Sequence, residues 1–222
     1  MRVLLVEGIT DVNLVRYIYS QMDNRFDFYD FVAPRRGTKS KVITFKNKKY
    51  NDLQIINLKG QDNLLFALQE LLKPDEEIIE KIGIISDADR DFKASKEMVT
   101  KAIEDSKIDK SKFSIFLTPN NKDLGNLETL LLSSLDRDTI PQLQCFREYK
   151  ECLTKEIEDI EKRAIDKHEV EAYIKFSQKP RNRDQAQFSF IDSNGDTGLW
   201  DLSQKEFSPI IKFVKSVILF TP

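Results

Sequence analysis

Val3-Leu4-Leu5-Val6-Glu7-Gly8 opens the chain, and Ile82-Gly83-Ile84-Ile85-Ser86-Asp87-Ala88-Asp89 repeats its design further on. Each is a short, continuous apolar run that ends on an acid. Strands buried on both faces read this way, because neither side of the pleat meets water. Two more such runs follow the same rule: residues 53–58, ended by Gly60, and residues 113–117, stopped by Thr118-Pro119-Asn120-Asn121. Helical spacing fills the gaps. Thr10 can cap a first helix, with Asp11 in its first turn and Leu14, Val15, Ile18, Tyr19 and Met22 on one face. Asp62 opens a second helix carrying Leu64, Leu65, Leu68, Leu71 and Leu72, closed by Lys73-Pro74, and a polar helix covers residues 95–105.

Strands alternating with helices imply parallel pairing through right-handed crossovers, and ligands then bind outside the carboxyl ends of the strands. The expected fold is α/β: a mainly parallel four-stranded sheet flanked by helices over residues 1–135. A helical C-terminal extension, residues 136–222, packs on it. An insertion at about residues 24–50 holds two short strand candidates, Phe26-Asp27-Phe28-Tyr29-Asp30-Phe31 and Lys41-Val42-Ile43-Thr44-Phe45. In the extension, residues 140–177 are charged and helix-patterned, residues 178–198 form a polar loop, and residues 208–219 read as a last apolar helix.

Composition narrows the function classes. The chain has 222 residues, 40% of them apolar, enough for a core. Its 35 basic and 37 acidic residues nearly cancel, so a nucleic-acid surface has to come from local clustering. Cys145 and Cys152 are seven apart in a helical stretch, roughly 10 Å, too far for a disulfide. They read as small, reduced core residues of a cytoplasmic protein. No apolar run is long enough for a signal peptide or a membrane span, so a soluble protein is expected.

The acids at the strand ends carry the chemistry. Glu7 closes the first strand with Asp11 one helical turn beyond, and Asp87, Asp89 and Asp91 follow the third. In a parallel sheet both groups face one edge. At an effective dielectric of ~20, each carboxylate pair 4 Å apart costs about 4 kcal/mol. Such a cluster persists if some acids stay protonated, if basic residues pair with them, or if a cation sits among them. All-oxygen ligands at a partly open site suit Mg²⁺ or Mn²⁺. A general acid/base residue beside that cation would complete a phosphodiester-cleaving site.

Val6-Glu7-Gly8 after one strand and Asp87-Ala88-Asp89 after another resemble the motifs of the TOPRIM (topoisomerase-primase) domain. That domain occurs in type IA topoisomerases, bacterial primases and the overcoming-lysogenization-defect (OLD) nucleases. The resemblance implies Glu7 as general acid/base, and Asp87 and Asp89, together with Glu7, as the carboxylates that hold the metal. Asp91 falls where the topoisomerases carry a third acid, but Phe92 replaces the glycine that often follows. Asp11 and Gly125-Asn126-Leu127-Glu128 look closer to the OLD-type nucleases, which makes Glu128 a further acidic site residue. Lys59-Gly60-Gln61-Asp62-Asn63 and Gly198-Leu199-Trp200-Asp201 are similar to stretches in small bacterial TOPRIM-like proteins.

A second signal is basic. Residues 31–51 contain one acid-free run with Arg35, Arg36, Lys39, Lys41, Lys46, Lys48 and Lys49, and with Phe45 and Tyr50 for base stacking. Lys179-Pro180-Arg181-Asn182-Arg183 is a shorter candidate, and Arg90 a single one. The favoured expectation is Mg²⁺-dependent cleavage of DNA or RNA by an OLD-like nuclease. The chain lacks a Gly-x4-Gly-Lys-Ser/Thr loop, so an ATPase partner would be a separate protein. The rival is a non-catalytic metal-binding module that binds nucleic acid or an ATPase. A receiver-like phosphoacceptor domain fits the spacing poorly.

Overall fold

The computed structural model describes residues 1–23, 25–33, 41–72, 79–157, 162–177 and 199–220. Six strands share one sheet: β1 (Arg2–Val6), β2 (Phe31–Val32), β3 (Ile43–Asn47), β4 (Leu53–Asn57), β5 (Lys81–Asp87) and β6 (Phe113–Thr118). Their spatial order is β2-β3-β4-β1-β5-β6. The four apolar runs read from sequence form the parallel block β4-β1-β5-β6. The expected four-stranded sheet is therefore two strands short. The insertion adds β3, antiparallel to β4, and β2, antiparallel to β3. Half of the first strand candidate is instead a 3₁₀ turn, Phe28–Asp30. Asp27 accepts the Tyr29 N–H at 2.7 Å, and Asp30 accepts the Asp27 N–H at 2.9 Å. Side chains that bond so locally draw the backbone out of a strand.

Among the described residues the α-helices are α1 (Ile9–Ser20), α2 (Leu64–Glu70), α3 (Phe92–Ser106), α4 (Leu127–Ser133), α5 (Pro141–Glu156), α6 (Lys162–Ser177) and α7 (Ser208–Ile218). β1 explains the layering. Leu4 and Val6 join one core with residues of α1, α4 and α7, while Val3 and Leu5 join another with residues of α2 and α3. Gly83 of β5 faces α7: a methyl group there would lie 2.7 Å from Val217 Cγ2 and 2.8 Å from Leu4 Cδ2. The last helix thus rests directly on the sheet. Trp200 is buried, its Nε1 donating to the Leu131 carbonyl of α4 at 3.3 Å and its ring edge-on to Tyr173 of α6.

α5 and α6 form an antiparallel pair. Glu169 is fully buried and takes Arg137 and Lys150 as ion partners, and Lys150 also reaches Asp166 at 3.2 Å. Cys145 and Cys152 are free but exposed, which corrects their expected place in the core. The buried residue of α5 is Leu143, and positions two and nine residues beyond it turn to the opposite side.

The chain runs from β1 outward to β4, then crosses back over β1 to β5 and on to β6. The direction of winding reverses between β1 and β5. In open α/β sheets the crevice at that point, outside the carboxyl strand ends, is the ligand site.

Candidate active site

Glu7 follows β1 directly and is half-buried. Gly8 caps α1, and its N–H donates to Asp11 Oδ2 at 2.9 Å. The cap belongs to Gly8 and Asp11, not to Thr10 as expected from sequence. One buried acid therefore closes the first turn of the helix beside the switch point, and Asp11 is 8% exposed.

Asp87 ends β5, whose Cα pairs with that of Thr118 at the end of β6. Its Oδ1 accepts the Thr118 hydroxyl at 2.6 Å and the Leu127 N–H, at the start of α4, at 3.1 Å. Asp89 has φ +50°, and its backbone is tied to Gly125 by two hydrogen bonds of 2.7 and 2.9 Å. Gly125 has φ +136°, a left-handed conformation that suits glycine. The short segment from Gly125 to Glu128 thus touches both aspartates and places Glu128 in the first turn of α4.

Electrostatics show which acids gather. The Asp11 carboxyl is pushed well above the usual range by burial first, then by the charges of Asp87, Glu7 and Glu128, against the Gly8 hydrogen bond, which lowers it. Asp11 at the start of α1 therefore lies within electrostatic reach of Glu7 after β1, Asp87 at the end of β5 and Glu128 in α4. Asp91 stands apart: it is exposed and caps α3 by accepting the Ala94 N–H at 2.9 Å. With Asp89 it borders a neighbouring cleft of about 570 Å³, shared with Arg90, Leu124, Thr129 and the buried Asp166 of α6.

The residues that sequence reasoning missed are polar and uncharged. Gln61, after β4, donates to Ser86 Oγ at 2.8 Å, and Thr118 and Asn126 are buried beside Asp87 and Glu128. Hydroxyl and amide residues at strand ends are common turn formers, so composition gave no cue to them.

The basic run is divided. β3 runs against β4 with Ile43 opposite Asn57 and Lys46 opposite Gln54. Lys41 lies at the acidic end, its Nζ 5.2 Å from the Phe66 ring centre. Lys46, Lys48 and Lys49 lie toward the opposite end of the sheet, where Lys49 pairs with Asp30 at 3.1 Å. Arg35, Arg36 and Lys39, and the 179–183 stretch, lie outside the described residues. His168 is exposed and faces Glu171 at 3.4 Å.

Among the described residues, no three Asp, Glu, Cys or His side chains close around a common point to hold an ion. The donor set nonetheless fits a hard cation such as Mg²⁺, which keeps several waters and takes one or two carboxylates directly. Burial first, and then the charges of Asp87, Glu7 and Glu128, hold the Asp11 carboxyl high, and a cation beside it would offset the charge part of that cost.

Fold and site together define a doubly wound α/β protein with a carboxylate cluster at its switch point. The chain belongs to the family described as protein of unknown function (DUF3226), which matches residues 1–219. No curated protein and no solved structure matches it.

Proposed function

We propose that this chain carries out Mg²⁺-dependent phosphodiester chemistry on DNA or RNA, as a nuclease of OLD-like type built on a TOPRIM-like core. The observation that carries the reading is the meeting of Glu7, Asp11, Asp87 and Glu128 at the crevice between β1 and β5. A bound Mg²⁺ or Mn²⁺ supplies Lewis-acid polarisation of the scissile phosphate and a more acidic water. Asp87 and Asp89 would hold the cation, with Asp11 and Glu128 reaching it through the waters it keeps, and Asp91 stands at the start of α3. Glu7, half-buried beside the Gly8 turn, takes the proton from the attacking water. Lys41 contacts phosphates near the acids; Arg35, Arg36 and Lys39 precede it in sequence and lie outside the described residues. Lys46, Lys48 and Lys49 contact them further along the sheet.

The test compares the native chain with Glu7→Gln, which keeps size but cannot accept the proton. Plasmid, linear single strands and structured RNA are offered with Mn²⁺, with and without a candidate ATPase partner. Glu7→Gln is expected to cleave about 10²–10⁴-fold more slowly while keeping its fold. Equal rates remove Glu7 from the mechanism. Metal binding without cleavage under every condition favours the non-catalytic module.

A further inference from the structure

The acids of the crevice differ in what holds them, and Asp87 is held from two elements at once. Its Oδ1 accepts from the end of β6 through the Thr118 hydroxyl, at 2.6 Å, and from the start of α4 through the Leu127 N–H, at 3.1 Å. Thr118 is 0% exposed and Asp87 is 7% exposed. The hydroxyl has another acceptor nearby, the Ser86 carbonyl, but at 3.4 Å. The short contact therefore goes to the carboxylate, in the range of charge-assisted O–H···O⁻ bonds. Two donors on one oxygen fix the plane of the carboxyl group and so the direction of Oδ2. Neither donor carries a full charge, so the pair orients Asp87 without neutralising it. Groups that stand behind a ligand in this way set its geometry and basicity.

We infer that Thr118 is a positioning residue, orienting Asp87 toward a divalent cation in the crevice; this rests on the metal reading proposed above. Thr118→Val removes the hydroxyl at nearly constant shape, and Thr118→Ser keeps the hydroxyl but loses a packed methyl. Mn²⁺ alone is titrated calorimetrically into the full chain and each variant, with urea unfolding measured in parallel. Thr118→Val is expected to weaken Mn²⁺ binding about 10–100-fold, with Thr118→Ser within about twofold of native. A purely structural role predicts the other pattern, with affinity following stability. In an Asp87→Asn background, Thr118→Val is expected to add no further loss, because the two residues act as one unit. Unchanged affinity in Thr118→Val, an equal loss in Thr118→Ser, or an additive loss in the double variant overturns the inference. If Thr118→Val does not fold, Thr118→Ala takes its place against Thr118→Ser. A native chain that binds no Mn²⁺ sinks the metal reading and the inference with it, whereas native binding matched by Thr118→Val sinks the inference alone.

Discussion

Asp11 is buried where its charge is least welcome, and the cost is measurable without any substrate. Burial, then Asp87, Glu7 and Glu128, raise its folded pKa well above the unfolded value of about 3.9. Below that unfolded value both states hold the proton, and Asp11 costs nothing. As pH rises past it, the unfolded chain ionises while the folded chain keeps its proton, so stability falls. The fall continues to the folded pKa and then levels off. Asp11→Asn keeps an oxygen for the Gly8 N–H but has no charge to lose. Without divalent ions it is expected to unfold at higher urea than the native chain at pH 7. The difference should shrink as pH falls and vanish about one unit below the unfolded value, near pH 3. Equal urea midpoints for both proteins at pH 7 would rule out a buried, repelled Asp11. Sequence showed that Asp11 stood one turn from Glu7, but a helix first turn favours Asp for its own reasons. Only the burial of Asp11 within reach of Asp87 and Glu7 separates the two meanings.

The elements were legible in proportion to how far their own residues determine them. β1, β4, β5 and β6 are buried on both faces, and their continuous apolar runs announce them. β2 and β3 are short and mixed, and Asp27 and Asp30 compete locally for the backbone, so their bounds shifted. The contact of α7 with the sheet was hidden in a single glycine. Gly83 reads as an ordinary member of an apolar strand, yet its missing side chain is what admits Val217 and Phe213. Gly83→Ala puts a methyl group within 2.7 Å of Val217 Cγ2, which forces α7 outward. Such overpacking costs about 1–3 kcal/mol, to be read from urea unfolding. Val217→Ala in the same chain should recover part of that loss, because it frees the space the new methyl needs. If Gly83→Ala were as stable as native, or if Val217→Ala only added to its loss, the close seating of α7 would be wrong.

Across the whole molecule, the acidic crevice lies at one end of the sheet and the Lys46–Lys49 turn toward the other. Sequence offered the basic run as one surface, because a linear reading cannot see β3 reverse against β4. From Lys41 to Lys48 the chain spans roughly 20 Å at about 3.3 Å per residue. A single strand in a duplex-like helix, rising about 3.4 Å per phosphate along its axis, covers that span in roughly six nucleotides. Under the proposed function, oligonucleotides shorter than this touch the acidic end alone, and longer ones gain the distant lysines. Changing Lys46, Lys48 and Lys49 together to Ala should therefore weaken binding of twelve-residue strands and flatten its salt dependence. Each lost phosphate contact lowers the slope by about 0.7 for a single strand. Lys49 is already engaged with Asp30, so Lys46 and Lys48 should account for most of the change. Binding of four-residue strands should stay as it is, since they do not reach the turn. A triple variant that loses affinity equally for both lengths would place its effect on the fold or the crevice. Unchanged binding of the long strand would remove this end of the sheet from the substrate path.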